Sequence, residues 1–509
     1  MASLEAVIEI GSTGIRLLVA ELTEDGNKNT LDQCEMPVSL GLDVFTTGSV
    51  SRETLLQCIH ILLRYKELLV SWDLKPAQTA VIATSAVREA KNRDPFVDRI
   101  FVKTGFHVQV IDGIENNRLT YLAVENCLKN AKNESLTQNA IILEVGGGST
   151  ELMLMEKGKM AGAHSMRLGS VIVEQQLRSM LGSIEDARRY IEEFIFNTKG
   201  SLENEIDLQK IERFITVGAD PQIVAKIIGQ KKSPAIWEIS RTDFDNFADT
   251  IQNYSTEECA AQYHISQSDA KLLHISLLIF KLFLRLTNAK SILVLQTSIR
   301  DGLIISHQNL PDNSLQQNFY SQITASARNL LRKYRGDEKH ADFVRKISLK
   351  LYDSLAEEIA LPEKNRMLLE VSAILHDIGM FIRADEHNKH SHYIITNSEI
   401  FGLDREDLDI VALIALYHRG SSKPQDDKNF QILPRAERMA ILKLTAILRI
   451  ADALDRSHRQ KLMDFSIKRH QDTLTITTPG THNTALENIA LVQKADMFES
   501  IFGYKILII

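Results

Sequence analysis

Ala6–Leu22 (AVIEIGSTGIRLLVAEL) and Ala140–Met155 (AIILEVGGGSTELMLM) carry one design twice: an apolar run, a carboxylate, an apolar residue, glycine, small polar residues, then a second apolar run. Each copy reads as a strand turning tightly into another strand. Glu9 and Glu144 stand at the ends of the first strands. Gly11, Ser12, Thr13 and Gly14, or Gly146, Gly147, Gly148, Ser149 and Thr150, occupy the turns. Glycine allows close backbone approach, so successive N–H groups can point at one anion, and a phosphate chain is the natural guest. A carboxylate beside such a turn repels that anion unless it holds a cation or orients a water between itself and the phosphate. A single copy is a weak signal, because short glycine motifs recur in ordinary hairpins. Two copies with a matched carboxylate favour a shared phosphate site.

Outward from the hairpins, strands alternate with helices up to about Cys127: a helix over Arg52–Val70, a strand over Thr79–Ala83, a helix from Ser85, a strand over His107–Ile111 and a helix from Glu115. The alternation restarts near Ala140 and runs to His307, through a helix at Ile184–Phe196, a strand at Arg213–Val217, a helix spanning Leu272–Leu286 and a strand at Ser291–Gln296. This predicts two related α/β lobes, 1–127 and 128–307, with a phosphate cleft between them. Asn309–Ser314 reads as a linker. From 315 to 460 the pattern is helical, broken by an expected solvated loop at Gly420–Pro434. The last stretch, 461–509, returns to strand-like alternation and predicts a small α+β cap.

At 509 residues the chain is too long for one core. A formal net charge of -7 gives no overall basic surface for nucleic acid, so any anion site is local. Cys34, Cys58, Cys127 and Cys259 form no C-x-x-C pair, which points to a reducing compartment and away from a thiolate zinc site. The first strand starts almost at Met1, leaving no room for a secretory signal, and Leu272–Leu286 contains His274, Lys281 and Arg285, so it is not a membrane span. A cytoplasmic protein with no membrane or nucleic-acid partner is expected.

Five motifs in order, EIGSTG (Glu9–Gly14), ATSAVREAKN (Ala83–Asn92), GIENNRL (Gly113–Leu119), EVGGGSTEL (Glu144–Leu152) and LHDIG (Leu375–Gly379), resemble the exopolyphosphatase and guanosine pentaphosphate phosphatase family, within the superfamily of sugar kinases, actin and heat-shock chaperone ATPases. The resemblance spans nearly the whole chain. It implies an α/β fold of two ribonuclease H-like (actin-like) lobes, an all-helical HD-like domain and a small carboxy-terminal α+β domain. It also implies a homodimer acting on inorganic polyphosphate or guanosine polyphosphate with a divalent metal, Mg or Mn, at the front cleft. Carried over residue by residue, Gly11, Ser12, Thr13, Gly14, Arg88, Gly146, Gly147, Gly148 and Ser149 bind phosphate. Glu9, Glu144 and Glu151 hold the cation, and in-line attack of water cuts a terminal phosphoanhydride. Arginine suits this task because its guanidinium is a planar fork of donors.

The chain departs from the family pattern at three places. Glutamate replaces aspartate at both hairpin carboxylates, moving each oxygen by roughly an ångström, a displacement on which rate depends steeply. The family's Gly-x-Glu-Glu aligns with Glu115 and Asn116, and the second position is the one that activates water; an amide cannot take a proton. Either Glu115 takes over as the catalytic base or the site binds without cleaving efficiently. VGADPQ (Val217–Gln222) puts Asp220 and Pro221 where the family has a glycine- and threonine-rich turn.

In the helical part, His340, the pair His376 and Asp377, and Asp452 resemble the metal signature of HD phosphohydrolases, with His392 and His418 as additional ligands for a second ion. Imidazole and carboxylate suit Mn, Fe, Zn or Mg. The alternative function is therefore a metal-dependent nucleotide phosphohydrolase in the HD-like domain, with the front cleft as a regulatory binding module. A sensor that binds anions without hydrolysis is the third reading.

Overall fold

The computed structural model describes residues 3–23, 28–131, 136–180, 184–307, 314–419, 423–462, 465–477 and 484–508, in two compact units, Met1–Leu315 and Gln316–Ile509.

The first unit holds two sheets. One contains β1 (Ser3–Ile10), β2 (Gly14–Leu22), β3 (Lys28–Pro37), β4 (Thr79–Ala83) and β5 (Val108–Val110) in the order β3-β2-β1-β4-β5. The other contains β6 (Ala140–Val145), β7 (Thr150–Glu156), β8 (Lys159–Met166), β9 (Arg213–Val217), β10 (Gln230–Ser233), β11 (Ile236–Ser240) and β12 (Ser291–Leu295), ordered β10-β11-β12-β9-β6-β7-β8. Read from β8, the second sheet repeats the first: three antiparallel strands, then two parallel ones, with β11 and β10 added at the edge. The duplication legible in the hairpins thus extends to whole-sheet topology.

The hairpin strands are apolar almost throughout because both faces of each sheet are covered. In β1, Ala6, Ile8 and Ile10 join one core, while Val7 joins another on the opposite face with Leu119, Ile299, Leu303 and Ile304. The helices Gly113–Asn130 and Ile299–Ser306 supply that second face. Ile299–Ser306 follows the last strand of the second sheet in sequence yet packs on β1 of the first. The helix at Ser85 is shorter than its pattern suggests, ending at Glu89, and a second helix runs from Arg93 to Thr104. The edge strand β3 gives little hydrophobic signal because half or more of its residues face solvent at least in part.

In the second unit the helices Ser314–Lys333, Glu338–Ser354, Lys364–Leu375, His387–Thr396, Arg405–Tyr417 and Arg435–Ala453 precede a small sheet of β13 (Ser466–His470), β14 (Thr473–Thr477) and β15 (Lys505–Ile508). The helices Ala485–Lys494 and Asp496–Phe502 lie between β14 and β15 in sequence and pack on Arg435–Ala453. Residues 309–313 of the expected linker lie outside the described residues, as do 420–422 of the expected loop. The rest of that loop is not solvated throughout. It holds a short turn at Pro424–Asp426 and a helical turn at Lys428–Gln431, with buried Phe430 edge-on to Tyr417, whose hydroxyl donates to Asp427. Among the described residues no helix is long and apolar enough to cross a membrane.

Candidate functional site

The two hairpin turns close alike: Gly11 N–H donates to Gly14 O at 2.9 Å, and Gly146 N–H to Ser149 O at 2.8 Å. They face each other across a cavity of about 870 Å³ between the lobes. The approach is close enough to require glycine on one side. A Cβ on Gly147 would lie 2.9 Å from Ser12 Cβ, and one on Gly148 2.4 Å from Phe45 and 2.6 Å from Ser85 Oγ. Gly11, Ser12, Thr13, Gly146, Gly147, Ser149 and Arg88 all line this cleft, whereas Gly14 opens β2 and Gly148 packs under the turn. Arg88, in the Ser85–Glu89 helix, anchors one guanidinium nitrogen on Ile111 O at 3.0 Å while lining the cavity.

Position by position, the hairpins carry different charge. In the first, Glu9 lies across from Arg16 on the neighbouring strand and sits 3.3 Å from both Arg16 and Arg300. Arg16 also reaches Glu35 at 2.8 Å; burial opposes its charge, but Glu9 and Glu35 outweigh that and hold its pKa above the ordinary value. In the second hairpin the same cross-strand pair is Glu144 and Glu151, two like charges placed opposite each other. Burial, reinforced by Glu9, pushes the Glu144 carboxyl up to about 7, with Thr120 donating to it at 3.0 Å. Burial pushes Glu151 up to about 8, against donation from Ser149 at 2.8 Å and Ser165 at 2.9 Å. Thr120 and Asn117, which reaches Glu151 at 3.3 Å, are three residues apart on the Gly113–Asn130 helix, and that spacing brings both to one face. Asp220 lines the same cleft, and burial raises it to about 6 despite a hydrogen bond from Ser276.

Glu115 is placed elsewhere. Its carboxylate is gripped by Arg118 through two contacts of 2.6 and 2.7 Å, and Asn116, buried beside it, is the residue that lines the cleft. Adjacent helix positions point about 100° apart, so only one of the two can face the glycine turns.

The second unit gathers a different set. His340, His376 and Asp377 bring ligand atoms within 4.8 Å of one another, and so do Asp377, His387 and His418. Among the described residues these are the sets that converge in this way; Glu9, Glu144 and Glu151 do not form one. Asp452 Oδ1 completes the first group, 3.6 Å from His340 Nε2 and 4.0 Å from His376 Nε2. Asp377 Oδ1 lies 3.6, 3.0 and 3.4 Å from the Nε2 atoms of His376, His387 and His418, so it is shared between the groups.

The hydrogen bonds fix how these imidazoles face. His376 Nδ1 donates to Ala373 O at 2.9 Å, His387 to Ala384 O at 2.9 Å and His418 to Ala415 O at 2.6 Å, and His340 Nδ1 meets Asp455 Oδ2 at 2.9 Å. A carbonyl can only accept, so in these three histidines Nδ1 carries a proton, and Nε2 is the nitrogen turned inward. The Nε2 atoms of His340 and His376, and of His387 and His418, stand 3.3 Å apart. Inward nitrogens this close fit a shared cation, and the outer hydrogen bonds are the orienting contacts that metal-binding histidines use.

His392 is in neither group. It follows His387 by five positions on one helix, about 140° round the axis, and is half-buried nearer Asp409 and Asp427. His387, which motif reading did not single out, has a signal in the sequence: Ala-x-x-His occurs at Ala373–His376, Ala384–His387 and Ala415–His418, each histidine bonding the carbonyl three residues back.

The family model described as Ppx/GppA phosphatase family matches residues 19–310, and the one described as Ppx/GppA phosphatase, domain III, matches residues 324–496. Among solved structures, the chain is similar to an exopolyphosphatase from Cytophaga hutchinsonii ATCC 33406 at 19% identity and TM-score 0.53, over 62% of this chain and 98% of that one. It is similar to an exopolyphosphatase-like protein at 20% identity and TM-score 0.51, over 60% and 98%. An Aquifex aeolicus member of the Ppx/GppA protein family aligns at 22% identity and TM-score 0.48, over 60% and 97%. At these identities the likeness to the first two is one of fold alone, over 60 to 62% of this chain. With more than half its length matched by the family model, this chain belongs to the Ppx/GppA phosphatase family.

Proposed function

We propose that the interlobe cleft releases terminal phosphate from inorganic polyphosphate or guanosine pentaphosphate. The observation that carries this reading is the pair of facing turns, Gly11–Thr13 and Gly146–Ser149, with Arg88 on the same cavity wall. Backbone donors and a guanidinium then hold the phosphoryl oxygens as charge builds on them. A divalent cation, Mg or Mn, fits beside Glu144 and Glu151, two opposed acids that burial leaves short of positive charge. Such an ion takes one or two carboxylates and completes its shell with water and phosphate, so no converging cage is needed. When bound, it would neutralise charge on the transferred group. Glu9 is a poorer ligand, since Arg16 and Arg300 already answer its charge.

For Glu115 to act as the base it has to release Arg118; while it stays paired, Asn116 orients water without accepting its proton, and turnover is slow. The test is release of inorganic phosphate from long-chain polyphosphate and from guanosine pentaphosphate with Mg or Mn, using wild type and Arg88→Ala. Release from at least one substrate that falls in the variant is the expected result. No release from either at micromolar enzyme removes this reading.

A second reading is favoured by the inward Nε2 atoms of His340, His376, His387 and His418: the helical domain is an HD-like metal centre acting on a phosphate ester or diphosphate of a nucleotide. Asp377 is shared between two ion positions, and Asp452 belongs to the first. Ions such as Mn, Fe or Zn supply Lewis acidity toward phosphate and its attacking water. Metal analysis of the purified protein is the direct check. Near-stoichiometric metal that disappears in His376→Ala supports the reading, and a metal-free wild type that takes up none on addition rules it out.

A further inference from the structure

Asp452 divides its carboxylate. Oδ1 faces His340 and His376, while Oδ2 is bonded by Lys494 Nζ. Lys494 ends the Ala485–Lys494 helix, beyond the helices that supply the imidazoles, and that helix packs on Arg435–Ala453, which carries Asp452. The lysine is well recessed, with 14% of its side chain exposed, as are Asp377 at 22% and His387 at 13%; His340, His376 and His418 are shut in at 1%. The solvent-reachable members of the cluster therefore include an ammonium group.

The charge arrangement has a consequence. In the metal-free protein Lys494 neutralises Asp452. An ion seated on Oδ1 shares that charge and repels Nζ across one carboxylate, weakening its hold on Oδ2. Two divalent ions with Lys494 leave the centre positive beyond what Asp377, Asp452 and Asp455 balance. A compact anion with several oxygens completes it, and an ammonium on a flexible stem serves well as a point-charge phosphate ligand.

We infer that Lys494 is the phosphate-binding residue of the helical domain's metal centre, turning from Asp452 Oδ2 to a phosphate oxygen of the ligand. This rests on the reading of His340, His376, His387, His418, Asp377 and Asp452 as metal ligands.

The test uses the full chain loaded with Co²⁺, whose visible bands on imidazole ligands report this centre, titrated with inorganic phosphate. Phosphate bound in the cleft of the first unit leaves those bands unchanged. In Lys494→Met, which keeps the aliphatic stem, the half-saturating phosphate concentration is expected to rise about tenfold or more, with the starting Co²⁺ bands as in wild type and Co²⁺ held at least as tightly, because the ammonium that competes for Asp452 is gone. Lys494→Arg is expected to recover most of the loss. Equal phosphate dependence in wild type and Lys494→Met overturns the inference. So does a change in the Co²⁺ bands of Lys494→Met before phosphate is added, which would make Lys494 a residue that places Asp452. Absence of imidazole-type bands in wild type would instead remove the metal reading beneath it.

Discussion

In the interlobe cleft the acidic side chains are dispersed and partly answered by arginines, whereas in the helical domain two carboxylates and four imidazoles aim at common points. On the functions proposed above, the contrast separates two ways of handling phosphate. The cleft would offer backbone donors and guanidinium to an anion and leave room for a cation that arrives with it. The helical cluster would take the cation first, since each imidazole turns Nδ1 to an outer oxygen and Nε2 to the interior. Within the cleft, the matched positions Arg16 and Glu151 show how one duplicated hairpin became self-neutralised and the other electron-rich.

The comparison breaks if the two centres cannot be lost separately. His376→Ala or Asp377→Ala is expected to abolish transition-metal content measured by mass spectrometry, while phosphate release from polyphosphate stays within about twofold. Asp377 is the more damaging loss because it serves both groups. In the same assay His387→Ala should lower metal content and His392→Ala should leave it alone; equal loss in both would reverse the assignment of the second ion. Arg88→Ala is expected to do the converse of His376→Ala, lowering kcat/KM for polyphosphate about a hundredfold with metal content intact.

A gain of function sharpens the contrast further. Asn116→Glu places a proton acceptor on the cleft wall, and a rise in kcat of about tenfold to a hundredfold is expected, within the range of general-base effects. An unchanged rate in a well-folded variant would show that water activation does not limit this enzyme. The smallest effect concerns Asp220. Its pKa in the fold, about 6, lies above the ordinary 3.8, so the ionised carboxylate lowers stability fully above pH 6 and not at all below about pH 4. Asp220→Asn should therefore raise stability by about 1 kcal/mol at pH 7 to 8 in thermal melts, with the gain fading on acidification. A gain that is constant from pH 4 to 8 would assign the effect to something other than ionisation.

The hairpins were legible because their signal is local: near-continuous apolar runs, a carboxylate, and glycines at the bend appear together in the chain. The parallel strands Thr79–Ala83 and Arg213–Val217 were legible to the residue because both are short apolar runs with clear flanks. The strand β3 was not, since an edge strand buries little, nor was the return of Ile299–Ser306 to the first sheet, which depends on a partner surface nearly three hundred residues upstream. In the helical cluster, His340, His376, Asp377, His418 and Asp452, named from their resemblance to the HD phosphohydrolase signature, lie together, while the signature pointed to His392 and the structure brings His387 instead.

By itself the amino-acid sequence determined the duplicated α/β architecture, the glycine turns and the helical character of the domain that follows, because backbone preference and hydrophobic period are properties of neighbouring residues. Tertiary structure alone decided that Asn116 and not Glu115 meets the cleft, that His387 and not His392 joins the cluster, and that Lys494 reaches Asp452 from a later helix. Those outcomes turn on which side of a helix faces inward, where one residue is worth about 100°, and that angle is set by packing against elements far away in the chain.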